Sequence, residues 1–157
     1  MDKKLSGKRV QVYHRDADKQ QLVVHRGTQG FQDIVTDIKL ATGLLKTTNR
    51  YKHSKKIANE AAKLRPDYET THLGHSLGGA LARNVAKKGQ KVVTYNTAVT
   101  PQDFLVRGKG KEVNIRSALD PVSLFASVAL PNVKVVPGVS HSFGPLNDRN
   151  TRRLTVL

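Results

Sequence analysis

Over residues 9–14 Val10 and Val12 alternate with Gln11 and Tyr13 up to His14, and residues 21–25 form a second run through Leu22, Val23 and Val24 to His25, with the polar residues 16–19 between them. Alternation at period two on either side of a polar turn predicts a β-hairpin. Past Gly27 and Gly30 the period changes. Ile34, Ile38, Leu44 and Leu45 recur at helical spacing with Asp33 and Asp37 between them, predicting a helix over 31–42. A second amphipathic helix is predicted over 49–64, with Ile57, Ala58, Ala61, Ala62 and Leu64 on one side, Lys52, Lys55, Lys56 and Lys63 elsewhere, and Pro66 as its stop. A short strand at 70–74 then precedes an Ala-rich helix over 77–88 that Gly89 closes. Strands follow at 91–95 and 112–116, separated by a short helical turn or loop at 101–104, and a last strand falls at 133–136. Strands alternating with helices predict an α/β fold, a mostly parallel sheet with flanking helices entered through an antiparallel hairpin.

The chain has 157 residues with no internal repeat, low-complexity tract or linker, and is read as one domain, 1–157. It has no cysteine, which excludes a disulfide scaffold, a Cys-based zinc site and a thiol nucleophile. The longest uncharged stretch, 121–133, falls well short of the ~20 residues of a spanning helix, and the polar start shows no secretory leader. The compartment is therefore left open, with the cytoplasm or a particle as the settings that need no leader.

The strongest chemical signal runs from Gly74 through His75, Ser76, Leu77, Gly78 and Gly79 to Ala80, where a strand must turn sharply into a helix. A nucleophilic serine on such an elbow needs small neighbours, because a side chain at Gly74 or Gly78 collides with nearby backbone. His75 occupies the variable position of the elbow, which points to a structural or supporting role. A serine hydroxyl attacks only when a histidine takes its proton and a carboxylate orients that histidine. Of six histidines only His141 follows Ser76, and the chain order serine, acid, histidine of the α/β-hydrolases makes it the base. Asp103, Glu112 and Asp120 compete as the acid. Glu112 begins its strand and Asp103 has no clear strand before it, whereas Asp120 follows a strand and precedes Pro121, so Asp120 is chosen. The oxyanion needs two preorganised donors. One is the backbone N–H of Leu77, at a helix N-terminus; the other is the N–H of Thr28, with its hydroxyl as a further candidate, in the loop after the early strand. Arg26 in that loop is read as either a phosphate ligand or a salt bridge bracing it.

The elbow, the upstream segment 23–28, the acidic helix start at Asp33 and Asp37, the Asp120-Pro121-Val122 segment and His141 occur in the order found in class three lipases, and the chain resembles that family over roughly residues 10–143. The resemblance implies an α/β-hydrolase-like fold and esterase or lipase activity on acylglycerols or phospholipids, with no metal or organic cofactor. His25 stands where the family usually has Phe, and Ile34 where it often has Trp. A helical lid normally follows the oxyanion loop. Only residues 41–50, with Leu44 and Leu45, occupy that place, so little or no lid is expected.

Lys and Arg outnumber Asp and Glu by 27 to 12, a formal charge of +15. The cations concentrate at Arg50, Lys52, Lys55 and Lys56, at Arg107, Lys109 and Lys111, and at Arg149, Arg152 and Arg153. Such a surface attracts polyanions. At roughly 1 kcal/mol per cation near an anionic bilayer, a few would hold a lid-poor enzyme on phospholipid. Nucleic acid is the rival partner, although four Phe, four Tyr and no Trp give few stacking platforms. The expectation is a lipase-like serine hydrolase acting on a lipid ester through Ser76, Asp120 and His141, with Leu77 and Thr28 holding the oxyanion. The uncharged 121–133 segment, with Leu124, Phe125, Val128 and Leu130, lines the acyl pocket or touches lipid in this reading, and packs in the core in the blander one. Alternatives are a basic polyanion-binding or particle-associated structural protein that keeps the fold, and a thioesterase or peptidase with the same triad. The oligomeric state is not legible.

Overall fold

Strands β1 (Val10–Arg15) and β2 (Gln20–His25) pair antiparallel across a 3-10 turn at Asp16–Asp18, and Lys19 takes the left-handed conformation that lets the chain reverse. The structure is a computed structural model and describes residues 1–28, 45–100, 103, 111–138 and 141. Strands β3 (Glu69–His75), β4 (Lys91–Tyr95), β5 (Lys111–Ser117) and β6 (Val133–Val136) extend the sheet in parallel, so that spatial order equals chain order. Helix α1 (Asn49–Leu64) crosses from β2 to β3 and helix α2 (Leu77–Val85) from β3 to β4, while the short α3 (Ala126–Ala129) lies between β5 and β6. α1 and α2 pack on each other over one face of the sheet, as right-handed crossovers between sequential neighbours require. None of the described helices is long and apolar enough to cross a membrane.

The mixed α/β architecture is the one the pattern predicts, and each predicted strand is present within one residue at either end. α1 begins where expected because the Thr48 hydroxyl accepts the Tyr51 N–H at 3.1 Å, a cap the periodicity alone does not identify. α2 ends at Val85, three residues early. Ala86 turns extended, and the Gln90 side chain accepts the Lys87 N–H at 2.7 Å, so a turn replaces the last helical coil before Gly89 at φ 89°. The predicted helix over 31–42 lies outside the described residues, as does all of the 101–104 turn except Asp103. Of the lid position, Leu45–Thr47 is a 3-10 turn with Leu45 buried, and Asn49 and Arg50 belong to α1. Residues 41–44 are outside the described set.

The two sheet faces differ in an unexpected direction. Val10, Val12 and Val23 pack on Ala61 of α1, and Val92 packs on Ala82 and Ala86. Between them the covered face is polar, with Gln21 bonded to Thr70, His25 to His72, and Thr94 to Asn114. Val24, Leu73, Val93 and Ile115 point the other way and are only half-buried.

Arg83 of α2 is sunk in this polar layer, 3% exposed, and holds both Asp103 and Glu112, the latter through Nε at 2.9 Å. Replacing Arg83 with Met leaves two buried carboxylates without their cation. The expected loss is about 3–5 kcal/mol of stability, read as a shift of the urea midpoint. A change below about 1 kcal/mol, the scale of an ordinary net hydrogen bond, would show that the carboxylates are satisfied without it.

Candidate active site

The β3 strand ends at His75 and α2 begins at Leu77, which leaves Ser76 as the single residue of the turn, at φ 55° and ψ −128°. A serine held there costs on the order of 1–3 kcal/mol and persists only where the surroundings fix it. Here the Ser76 N–H donates to Tyr95 O at 3.2 Å, and its carbonyl accepts the N–H of Gly79 at 2.9 Å and of Ala98 at 3.1 Å. A β-carbon on Gly74 would lie 2.2 Å from Gly78 O, and one on Gly78 would lie 2.1 Å from His25 O. The first contact closes the elbow. The second seats the loop after β2 against the first turn of α2. A β-carbon on Gly27 would stand 2.7 Å from His75 O and 3.3 Å from Ser76 Cβ, so this loop runs in contact with the serine.

Backbone atoms cannot move aside as a flexible side chain can. Gly78→Ala is therefore expected to cost about 1–3 kcal/mol through overpacking and to displace residues 25–28 from the elbow, measured as a lowered melting temperature. Unchanged stability would contradict the close packing.

Asp120 follows β5, is fully buried, and faces His141, whose Nδ1 lies 2.8 Å from Asp120 Oδ1. The other carboxylate oxygen accepts the N–H of Ser123 at 2.9 Å and its hydroxyl. Burial pushes the Asp120 carboxyl up, but hydrogen bonds from His141 and Ser123 outweigh it and hold the group below the usual carboxylate value. An ionised carboxylate only accepts hydrogen bonds, so His141 carries its proton on Nδ1 and leaves a lone pair on Nε2. That Nε2 and the Ser76 hydroxyl are both buried without a hydrogen-bond partner, so they do not bond to each other in this structure. Two orphaned polar atoms on one rim are a costly feature. The rival acids are accounted for, since Asp103 and Glu112 are both taken by Arg83, and Asp103 also accepts from Thr100 at 2.6 and 2.8 Å.

His75 does not face solvent alone. Its ring lies 5.9 Å from Tyr95 and 4.8 Å from the His141 ring, and its Nε2 donates to the His141 carbonyl at 2.6 Å. Asn96 Nδ2 donates to the same carbonyl at 3.2 Å, while Asn96 Oδ1 accepts the Ser117 N–H at 2.7 Å. The backbone of His141 is thus clamped from both sides. Asn96 is missed by sequence reasoning. Its signal is an asparagine directly after a strand, and it sits at φ 42°, a conformation asparagine tolerates better than most residues.

The loop after β2 differs from expectation in its support. Arg26 is exposed and makes no salt bridge among the described residues. The brace is Arg50 of α1, whose guanidinium donates to Thr28 Oγ1 at 2.9 Å and to Arg26 O at 2.7 Å. The cause is geometry: α1 leads straight past the loop, a proximity between distant positions that spacing does not reveal. The Thr28 hydroxyl is therefore held by Arg50, and Leu77 heads α2, whose first N–H groups have no helical acceptor. The 121–133 segment divides. Leu130 is buried, whereas Leu124, Phe125 and Val128, in the segment after Asp120, are 51%, 63% and 81% exposed, which removes the core-packing reading for those three.

The profile of a family described as phospholipase-like, Tle-like phospholipase domain, matches residues 1–124. Among solved structures, the Rhizomucor miehei lipase in its propeptide complex is 17% identical, with 76% of this chain and 48% of that chain covered at a TM-score of 0.54. This gives the fold, that of the α/β-hydrolases. The Lip2 lipase of Yarrowia lipolytica is 22% identical, with 73% of this chain and 55% of that chain covered at a TM-score of 0.46. The chain spans about half the length of these lipases. No curated protein matches it.

Proposed function

This chain belongs to the Tle-like phospholipase domain family, and we propose from that premise that it is a serine hydrolase of lipid carboxylic esters, with Ser76 as nucleophile, His141 as base and Asp120 as its orienting acid. The observation that carries the reading is the buried Asp120–His141 pair at 2.8 Å, with His141 Nε2 and the Ser76 hydroxyl both lacking partners on the same rim. In this mechanism Nε2 takes the hydroxyl proton as Ser76 Oγ attacks the ester carbonyl. The resulting oxyanion sits against the N–H groups of Leu77 and Thr28. Collapse expels the alcohol, which receives the proton from His141, and leaves an acyl-serine. Water, deprotonated by the same Nε2, then releases the fatty acid. His75 and Asn96 act through His141 by fixing its backbone, and Arg50 acts through the Thr28 loop.

The exposed Leu119, Leu124, Phe125 and Val128 in the segment around Asp120, on a chain of net charge +15, support delivery of substrate from an anionic lipid surface. The test is labelling with a fluorophosphonate, which reacts with an activated serine. The wild-type chain is expected to label and Ser76→Ala is expected not to, and the absence of Ser76-dependent labelling in folded protein would defeat the proposal.

A further inference from the structure

On the sheet face away from α1 and α2 lies a cavity of about 600 Å3, within the ~300–1,000 Å3 range of ligand sites. Its floor is the outward row of Val24, Leu73 and Val93, one on each of three neighbouring strands, continued by Ile115 on β5. In sheet register Gln11 opposes Val24, Val24 opposes Leu73, and Leu73 opposes Val93, so this row crosses four strands, about 14 Å at ~4.8 Å per strand. One end of the cavity is bounded by Gly27 and Thr28 of the loop that touches Ser76, and by His75.

The rim at that end is cationic. Lys8, Arg9 and Arg26 line it, all three are exposed, and none has an ion-pair partner among the described residues. They converge because β1 and β2 are antiparallel, and the Arg26 N–H donates to Arg9 O at 2.9 Å. A parallel sheet normally has both faces covered, yet among the described residues the apolar side chains are on the face away from the helices and the polar ones under them.

We propose that this cavity is a binding site for a single lipid bearing an anionic head group. Its acyl chain lies along Val24, Leu73 and Val93, and its phosphate rests on Lys8, Arg9 and Arg26. Size and charge select this occupant. An α-helix about 10 Å across would fill the volume in under two turns, too little for a protein partner's helix, and a second copy of a chain at +15 would bring like charge to the rim. A zwitterionic or neutral lipid would fill the floor but leave the three cations unmatched. The site deepens the functional reading by placing a lipid ester next to Thr28, in the loop that packs against Ser76. It rests on that reading only for the identity of the bound lipid as substrate, and not for the binding itself.

The experiment separates the two. Titrate the Ser76→Ala protein calorimetrically with palmitoyl-lysophosphatidylglycerol below its micellar concentration, which prevents turnover. Saturable binding with one lipid per chain is expected, at least tenfold tighter than for palmitoyl-lysophosphatidylcholine and not displaced by millimolar inorganic phosphate. The double variant Arg9→Glu, Arg26→Glu should weaken it tenfold or more, and Leu73→Glu should abolish it. Should Leu73→Glu fail to fold, Val93→Phe, which projects into the open cavity, should weaken binding by a comparable factor. Equal affinity across these variants, equal affinity for the zwitterionic lipid, or no saturable binding would overturn the proposal. Fluorophosphonate labelling of the wild-type protein tests Ser76 independently, so the binding site and the nucleophile can fail separately.

Discussion

Replacing Asp120 with Asn is expected to lower the turnover of a soluble p-nitrophenyl ester by about 10^4-fold while the protein stays folded. The reason lies in the tautomer. The ionised carboxylate accepts from His141 Nδ1 at 2.8 Å, which places the imidazole lone pair on Nε2, the atom that acts as base in the proposed mechanism. An asparagine amide can instead present its NH2 to Nδ1, which then acts as acceptor, and the proton moves to Nε2. Such a histidine cannot take a proton from Ser76. The substitution keeps the side-chain volume, and the Ser123 N–H that donates to Asp120 at 2.9 Å retains an oxygen to bond, so stability should change far less than rate. His141→Ala should cost a similar factor, and the double variant little more than either alone, because the groups act as a unit. Both rates are read with stopped-assay kinetics beside a thermal melt. A loss below tenfold for Asp120→Asn would show that this carboxylate does not orient the base.

Acid is expected to destabilise the fold well above the ordinary carboxylate range, in a window set by two buried histidines. His25 Nε2 and His72 Nδ1 lie 3.1 Å apart, their rings stack at 5.4 Å, and His72 Nε2 lies 3.1 Å from Gln90 Oε1. Burial, with the neighbouring His72, pushes His25 down from 6.5 to about 3, and burial pushes His72 down to about 4. The sign is set by linkage. Above pH 6.5 both states hold these rings neutral, and the pair contributes its full stability. As pH falls the unfolded chain binds protons that the folded chain refuses, so stability drains from 6.5 down towards the folded values.

Each ring should remove on the order of 3 kcal/mol by pH 4. His75, also lowered by burial, adds in the same direction. The carboxyl groups of Asp2, Asp18, Asp67 and Asp120 are lowered from 3.8 and contribute only below that window. Urea unfolding between pH 7.5 and 4 should therefore show a steep loss of stability. The double variant His25→Leu, His72→Leu should flatten it, because no proton is then gained on unfolding at these positions. An unchanged slope in that variant would sink the assignment. Since the His25 carbonyl packs on Gly78 and the Thr28 loop follows directly, partial opening of the pair should also lower labelling of Ser76 before global unfolding.

Local pattern was enough for much of this protein. The alternation at Val10 and Val12, the lysine-flanked apolar stripe that became α1, and the glycine-bracketed Ser76 depend on neighbours within a few positions, and sequence displays such relations directly. The order in which Ser76, Asp120 and His141 occur was legible too, because a crossover fold delivers successive strand ends to one rim. What sequence could not display was which distant groups would meet. Asp103, Glu112 and Asp120 carry the same carboxylate chemistry, and only the approach of Arg83 from α2 distinguishes a buried ion pair from the partner of His141. Arg50 is one basic residue in a basic helix until the turn of α1 aims it at Thr28, and Asn96 has no visible role until β4 ends beside the His141 carbonyl. The outward row of Val24, Leu73 and Val93 reads as ordinary strand sequence. Its meaning depends on which sheet face the helices cover, and that is decided by the handedness of the crossovers and the packing of α1 on α2, long-range relations that no single stretch of chain contains.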